Sequence, residues 1–387
     1  MPKHAKEKII LKLILLSLAG LIFVQSSKAA VSTQTSYQMK VLVLKFFPLT
    51  SDGQNIDIWV TGDVGDSYSV IRQKTVDITN NLLSKISTAS KYRGYTFTNA
   101  IPSLTYQIVD TREYTQAVPI KPRINRPRYP DYYQVLQNNN ICSYVSAGVS
   151  EVWLWAYHGP LPSLDIDETK MSSPFGDISN SFRYDDLPHC GRTYRVYTFN
   201  YGRGTGEAFH TWGHQIEAEL TAVDSYLFRT LFQGTNYPQT AGTLGRCGSV
   251  HNPPNARFEY DWSNQTAWNS DCLAWNPWPP GIISAVSCSL WGCSFVNDTN
   301  NPQLNYLVWY WQNLPGRGNP VLYNGKPLRN FWDIHGDFDR VLQTERKLTL
   351  IDLKELLNNY LGPGSYLDYR IDSKVNLIDA AEIMKQM

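Results

Sequence analysis

Apolar residues along the chain form short continuous runs that alternate with amphipathic segments. Strand-like runs cover residues 39–47, 104–109, 151–157 and 194–201, whereas helix-like segments cover 67–88 and 131–147 and a further helix begins near Glu207. The run at 151–157 is apolar on both faces, which is typical of a central strand in a buried parallel sheet. The alternation predicts an α/β fold with a mainly parallel sheet and helices on both faces.

A second kind of sequence covers residues 240–300, which are dense in Gly, Pro, Asn and Trp and contain four of the six Cys. We predict that this stretch is an irregular, disulfide-bearing part of an α/β domain covering residues 30–340. Seven of the 12 Trp lie between Trp262 and Trp311. They either fill the core of this part or present rings to sugars, and the first interpretation is favoured because large exposed apolar patches are uncommon.

The first 29 residues have the order of a secretory signal peptide. Lys3, Lys6 and Lys8 precede an apolar run at residues 9–24, and a small-residue cleavage pattern ends at Ala29. The alternative is an uncleaved membrane anchor, but the apolar run is short for a full span. We therefore expect a secreted protein, extracellular or at the cell surface, with no membrane span after removal of the signal.

All six Cys follow the predicted signal, and an even number in an exported chain indicates disulfides. Their pairing stays open, although Cys288 and Cys293 can close a short loop around Trp291. A cysteine metal site is disfavoured because the chain contains no CxxC motif. The formal net charge is +1, which argues against nucleic acid as a partner.

The most specific chemical pattern lies in the helix predicted near Glu207. Glu207, His210, His214 and Glu217 recur at helical spacing and share one face. Two His four residues apart can bind one zinc or similar divalent ion. The third ligand is either Glu217 or His251, and three protein ligands would leave a position for water.

This pattern differs from the zinc-peptidase motif HExxH because Thr211 follows the first His. Glu207 or Glu217 would then have to carry the proton during hydrolysis. The other interpretations are a catalytic or ligand-binding role without metal, His on the helix surface, and His satisfied by hydrogen bonds in the core. Farther along the chain, Glu259 and Asp261 would share one face of an extended segment, where solvation or Arg pairing is favoured over acid–base catalysis.

Polar residues also follow the predicted strands, and ligands of open parallel sheets bind beyond the carboxyl ends of the strands. His158 directly follows the strand at 151–157 and is a candidate catalytic residue. Other polar residues at predicted strand ends are Asp110, Arg112, Arg203 and Glu207.

The pattern of the C-terminal segment predicts a helix, a Gly-Pro-Gly turn, a loop with spaced oxygen ligands, and a second helix that starts at Ala-Ala. Oxygen ligands at this spacing suit Ca²⁺. The pattern resembles a type I dockerin module, which would cover residues 341–387. The resemblance implies calcium ligands at Asp368, Asp372, Asn376 and Asp379, and attachment to a cohesin-type scaffold protein. Arg370 and Ser373 depart from the family pattern, and the first repeat keeps few ligands.

Taken together, these patterns predict a secreted hydrolase of an extracellular polymer, polysaccharide or peptide, that is metal-assisted through the His210/His214 helix face. In this interpretation His210, His214 and His251 bind the metal, whereas Glu207, Glu217 and His158 are the catalytic candidates. The alternative is a non-catalytic secreted protein that binds carbohydrate or acts at a surface, with structural His. A metal-free α/β hydrolase is disfavoured because the chain has no GxSxG motif.

Overall fold

A computed structural model describes residues 35–121, 128–160, 164, 166–181, 183, 186–234 and 244–345 of the 387-residue chain. The predicted signal peptide and most of the predicted dockerin-like module, with its four calcium candidates, lie outside these residues. Within them, no helix has both the length and the apolar character that a membrane crossing requires.

Strands and helices alternate along the described part of the chain. The strands are β1 (Tyr37–Phe46), β2 (Leu104–Tyr114), β3 (Ile120–Lys121), β4 (Tyr129–Pro130), β5 (Glu151–Ala156), β6 (Thr169–Ser172), β7 (Tyr194–Asn200), β8 (Trp268–Ser270), β9 (Ser284–Val286), β10 (Leu322–Tyr323) and β11 (Lys326–Pro327). The α-helices are α1 (Ile58–Thr61), α2 (Tyr68–Ala89), α3 (Tyr132–Asn138), α4 (Ile141–Ser146), α5 (Thr205–Ser225), α6 (Pro302–Asn313), α7 (Trp332–Gly336) and α8 (Phe338–Glu345). A π-helix (Tyr226–Gln233) continues α5.

The main sheet has five strands in the order β2-β1-β5-β7-β6. The first four of these strands are parallel to their neighbours, and β6 is antiparallel to β7 at the edge. Every residue of β5 and β7 is buried, as expected for strands covered on both faces. The coarse prediction of a mainly parallel sheet with helices is therefore confirmed.

Helices lie on both faces of this sheet, as the side chains of β7 demonstrate. Arg195 bonds to Glu219 on α5 (2.6 Å), whereas the Thr198 hydroxyl meets the Tyr132 hydroxyl of α3 (2.8 Å). Because Arg195 and Thr198 are three residues apart in a strand, their side chains point to opposite faces. Helices α3 and α5 therefore cover opposite faces, and α5 is fixed to the sheet by an ion pair.

Strand β2 changes face along its length. Its pairing with β1 shifts by one residue between Ile108 and Asp110, so Val109 is bulged. Before the bulge, the Tyr106 hydroxyl accepts a bond from Trp212 on α5 (3.0 Å). After it, Arg112 donates to Asn139 beside α3 (2.9 Å). Because of this one inserted residue, side chains of β2 contact α5 before the bulge and the end of α3 after it.

The structure differs from the sequence expectation in several elements. The helix expected over 131–147 is two helices, α3 and α4, separated at Asn140, which has a left-handed backbone (φ 53°). Asn tolerates this conformation better than most residues, and helical periodicity alone does not reveal the break. The edge strand β6 was not predicted, and β2 continues to Tyr114, beyond the expected end at residue 109.

A fully buried ionic cluster joins the sheet, α5 and α7. His335 lies between two carboxylates, with Nε2 2.9 Å from Glu151 and Nδ1 3.0 Å from Glu219. Arg195 forms a two-bond pair with Glu219 (2.6 and 2.9 Å). With His335 protonated, two negative and two positive charges balance, which is the condition for tolerating buried ions. These contacts fix the position of α5 along the sheet and its rotation about its own axis.

All six Cys form disulfides: Cys142–Cys190, Cys247–Cys272 and Cys288–Cys293. The third closes the short loop around Trp291, as expected. Between residues 244 and 300 the chain is irregular, with β8 and β9 as a small hairpin. Among the seven Trp of this region and α6, four are buried, namely Trp275, Trp291, Trp309 and Trp311. Most of these rings therefore form core.

At the C-terminal end of the described chain, α8 runs from Phe338 to Glu345. It crosses the expected domain boundary at residue 340, and Val341 and Leu342 are buried in the core of the α/β domain. The Thr193 amide bonds to Asp339 (3.1 Å), so α8 also contacts the start of β7. The first residues assigned to the dockerin-like module thus pack with the α/β domain.

Candidate metal centre

Helix α5 presents two different faces. Trp212, Ile216 and Leu220 are buried toward the core, at the spacing of an amphipathic helix. His210, His214 and Glu217 follow a second line of the same helix. The sequence predicts that Glu207, His210, His214 and Glu217 share one face. Of these, His210 and His214 touch at 3.0 Å, Glu217 lies 3.5 Å from His214, and Glu207 pairs with Arg203.

His251 reaches α5 from the irregular part because several contacts hold its segment against the helix. The Val250 amide donates to Glu217 (2.9 Å), and the Cys247 amide donates to Phe232 in the π-helix (2.9 Å). The Tyr306 hydroxyl of α6 lies 2.9–3.3 Å from three carbonyl oxygens of the same turn. His251 is therefore positioned by a rigid support.

Two glycines allow this close approach. Gly248 has φ +82°, and a Cβ there would lie 2.2 Å from the Asn252 carbonyl oxygen. Gly213 lies between the two His of α5, where a Cβ would meet Val250 at 3.0 Å. A glycine in a helix interior costs about 1 kcal/mol relative to alanine. At position 213 this cost is offset by the contact that brings His251 to the helix.

The Nε2 atoms of His210, His214 and His251 converge on one point; we call these residues the three-histidine cluster. The His214 Nε2 atom lies 3.0 Å from the Nε2 atoms of both other residues, and all three ligand atoms lie within 4.8 Å of one another. Tetrahedral coordination at Zn–N distances of 2.0–2.1 Å requires nitrogen atoms about 3.3 Å apart. The cluster therefore has nearly the spacing of three metal ligands.

Each imidazole of the cluster has a polar partner behind it at Nδ1. His251 Nδ1 lies 2.7 Å from Glu259, and His214 Nδ1 lies 3.5 Å from Glu217. The Gln303 side-chain nitrogen lies 3.5 Å from His210 Nδ1, and a flip of this amide would present its oxygen to accept a hydrogen bond from Nδ1–H. Such partners keep the proton on Nδ1 and leave the Nε2 lone pair for a cation.

The electrostatic environment favours neutral imidazoles. Burial, with smaller contributions from His214, His251 and Arg203, lowers the pKa of His210 to about 2. Burial also lowers the pKa of His251. For Glu217, burial raises the pKa, but the hydrogen bond and charge of His214 and the Val250 amide outweigh burial and hold it below its usual value. Two imidazoles of the cluster, those of His210 and His251, are thus neutral, and the supporting Glu217 carboxylate is ionised.

The donor set fits a transition metal. Three imidazoles, two of which have a carboxylate partner at Nδ1, are the chemistry that zinc and its neighbours select, whereas calcium prefers oxygen ligands. The three-histidine cluster, in which His210 is buried and the other two residues are partly exposed, can therefore hold a metal ion. Of the two third donors weighed from sequence, His251 supplies the converging nitrogen, and Glu217 lies on the far side of His214.

The three predicted catalytic residues lie in different places. Glu217 is buried among Gln233, Val250 and His214. Glu207 pairs with Arg203 (3.2 Å), one turn before His210. His158 follows β5 and lies 3.1 Å from Asp167, which also pairs with Arg203 (3.3 Å). Arg203 thus links His158 and Glu207 in one polar chain beyond the carboxyl ends of β5 and β7.

Sequence reasoning missed the role of Glu259 as a partner of His251. An extended segment would place Glu259 beside Asp261, but the backbone between them is left-handed at Tyr260 (φ 66°). Asp261 instead pairs with Arg257 (2.8 Å), and Glu259 turns to His251. No local sequence pattern predicts a left-handed backbone at a tyrosine. The pairing of Glu259 with His251 therefore appears only in the structure.

Comparison of the chain with protein-family models, with curated proteins and with solved structures finds no match in any of the three.

Proposed function

We propose that this protein is a secreted, zinc-dependent hydrolase whose metal is held by His210, His214 and His251. The observation that carries the proposal is the convergence of three Nε2 atoms with partners behind each ring. A divalent ion held by three imidazoles keeps a position for water, lowers the pKa of that water and polarises a carbonyl group. Three-histidine sites of this kind suit hydrolysis of amide and ester bonds.

In this proposal the residues of the chain have separate tasks. The three imidazoles bind the ion through Nε2. Glu217 and Glu259 accept hydrogen bonds from Nδ1–H of His214 and His251 and fix the orientation of the rings. Glu217 is thus a positioning residue, because it lies on the Nδ1 side of His214 and is fully engaged there.

Glu207 remains the candidate proton carrier. It is half-exposed, precedes His210 by one helical turn, and pairs with half-exposed Arg203. We expect Glu207→Gln to lower kcat by 10²–10⁴-fold, the usual contribution of a general acid or base, with zinc affinity unchanged. If Glu207→Gln has wild-type kcat, the proton is carried elsewhere, and His158→Gln is the next variant to measure.

The function is tested by metal content and turnover. Purified protein should bind one zinc per chain and hydrolyse 4-nitrophenyl acetate, an N-acetylated oligosaccharide or an unstructured peptide. Chelation should abolish turnover, and added zinc should restore it. His214→Ala should lose metal and activity, whereas His189→Ala, at an exposed position outside the cluster, should keep both. Turnover that persists without metal would refute the proposal.

We propose an extracellular polymer, polysaccharide or peptide, as substrate and an extracellular or cell-surface location. Three disulfides support an oxidising environment. The resemblance of residues 341–387 to a dockerin module supports attachment to a cohesin-type scaffold. Full-length protein should bind an immobilised cohesin module in calcium, and chelation or Asp368→Ala with Asp372→Ala should abolish binding. Equal binding by this double variant would refute the attachment.

A non-catalytic carbohydrate-binding role is the second candidate, favoured by two exposed indole rings. Trp59 is 87 % exposed and Trp278 is 70 % exposed, and flat rings of this kind can stack on sugars. This role predicts glycan-array binding by metal-free protein that is lost in Trp59→Ala or Trp278→Ala. Turnover by the zinc-loaded protein, with no glycan binding by the metal-free protein, would exclude it.

A further inference from the structure

The residue that departs most from ordinary backbone geometry near the cluster is Tyr260. Its φ is +66°, in the left-handed region that bulky residues rarely adopt. Four other non-glycine residues with positive φ occur in the described chain, and three of them are Asn or Asp, which tolerate this region. The fourth of these residues is Arg93. Among the residues that the structure describes, Tyr260 is therefore the one aromatic residue with a positive φ.

The left-handed backbone has a direct consequence for the cluster. In an extended strand, consecutive side chains point to opposite sides. Here consecutive residues contact the same imidazole: Glu259 lies 2.7 Å from His251 Nδ1, and the Tyr260 ring centroid lies 4.8 Å from the His251 ring. The Tyr260 amide also donates to the His251 carbonyl oxygen (3.0 Å). The turn at Tyr260 is therefore what brings both side chains to one ligand.

The Tyr260 ring also reaches a second ligand of the cluster. Its centroid lies 6.0 Å from the His210 ring and 5.2 Å from Trp262. The residue is nevertheless 47 % exposed, so the ring borders both the ligands and solvent. A ring buried only for packing would not need a strained backbone at an open edge, and such strain often accompanies function.

We propose that Tyr260 is a substrate-binding residue of this site, whose phenol hydroxyl donates a hydrogen bond to the carbonyl oxygen of the substrate. This inference rests on the proposed metal site and adds a residue and a ligand class to it: compounds with a carbonyl oxygen next to the bond that is cleaved. The hydroxyl stabilises the negative charge that develops on this oxygen during attack by water, in the manner of an oxyanion donor.

Binding of acetohydroxamate to the zinc-loaded protein tests the hydroxyl, because this probe presents a carbonyl oxygen to a bound metal. Tyr260→Phe should weaken the probe about tenfold, the value of one hydrogen bond of about 1.4 kcal/mol, with zinc affinity unchanged. Tyr226→Phe, at an exposed tyrosine, is the matched control and should bind like wild type. Unchanged probe affinity in Tyr260→Phe, with zinc bound, refutes the inference and leaves the metal site standing. Absence of zinc binding in wild type refutes both.

A second measurement separates function from packing without any metal. Tyr260→Asn replaces a strained residue by one that tolerates the left-handed region, so the Tm of the metal-free protein should stay within about 2 °C of wild type or rise. Arg93→Asn makes the same exchange away from the cluster, and the Tm of this metal-free control should likewise stay within about 2 °C of wild type or rise. A large fall of Tm in Tyr260→Asn, together with wild-type affinity in Tyr260→Phe, would make Tyr260 a packing residue.

Discussion

Each imidazole of the three-histidine cluster has a polar contact with a neighbouring side chain at its Nδ1 atom. At His251 the partner is a half-exposed carboxylate, Glu259, and at His214 it is a buried carboxylate, Glu217. These partners determine which nitrogen carries the proton and therefore which one can bind a metal. Residues that never touch the ion thus control how well it is held.

Replacing Glu259 tests whether the Nδ1 partner of His251 affects metal affinity. Glu259→Gln should weaken zinc affinity by 10–100-fold, because the neutral amide supports the Nδ1 proton of His251 less well than a carboxylate. Glu113→Gln is the matched control, since Glu113 pairs with Arg72 (2.7 Å) and Lys45 (3.2 Å) rather than with a histidine of the cluster. Competition with a zinc-sensitive dye measures both affinities. Equal affinities in the two variants would contradict the role of Glu259.

At the scale of elements, the position of α5 depends on the buried cluster of Glu151, Arg195, Glu219 and His335. Burial and Arg195 lower the pKa of His335, but Glu219 and Glu151 outweigh them, and its net pKa is raised. Burial raises the pKa of Glu219, yet Arg195 and His335 outweigh it and lower the pKa to about 2. Both shifts favour the charged forms in the folded state.

These shifts predict opposite limits of stability. Because the folded-state pKa of His335 exceeds its unfolded value, its contribution is complete below about pH 6.5 and is lost as pH rises through the folded pKa. The contribution of Glu219 is complete above about pH 4.5 and is lost as pH falls toward 2. The Tm of metal-free protein should therefore fall on both sides of an optimum near pH 5–6.

The alkaline limit can be assigned with one variant. His335→Gln should lower stability by about 3–5 kcal/mol, because it leaves buried carboxylates without their partner. It should also flatten the fall of Tm between pH 6.5 and 9. His189→Gln, at an exposed position, should leave the alkaline fall unchanged. An equally steep fall in His335→Gln would show that another group titrates.

How far the sequence predicted this arrangement depended on the distance between the residues involved. His210 and His214 were found because helical spacing is local, and β5 was found because its run is apolar on both faces. His251 was one of two open choices, since no periodicity connects residues 37 positions apart. Glu259 was missed because the left-handed backbone at Tyr260 breaks the alternation that an extended segment would have.

At the level of the whole molecule, two of the disulfides should stabilise the fold to a similar extent, but only one of them supports the three-histidine cluster. Cys247–Cys272 closes a loop that contains His251 and Glu259, whereas Cys142–Cys190 joins α4 to the segment before β7. The sequence separations are 25 and 48 residues, so loop entropy assigns about 3–4 kcal/mol to each bond. The two bonds should therefore stabilise the fold to a similar extent.

Their effects on metal binding should differ. Cys247→Ser with Cys272→Ser should lower zinc affinity at least tenfold at a temperature where the protein is folded, because the His251 segment loses a support. Cys142→Ser with Cys190→Ser should lower the unfolding free energy about as much as the first double variant does. It should leave zinc affinity unchanged. Denaturant unfolding and zinc titration measure the two quantities. Equal zinc affinities in both double variants would contradict this division.

We propose that three imidazoles of one chain bind one metal ion. X-ray absorption at the zinc edge, on protein loaded with one equivalent of zinc, measures this most directly. We expect three imidazole nitrogens at about 2.0–2.1 Å and one oxygen in the fourth position, and we expect His251→Ala to lose one nitrogen. Zinc that is not retained, or that keeps the same ligands in His251→Ala, would contradict it.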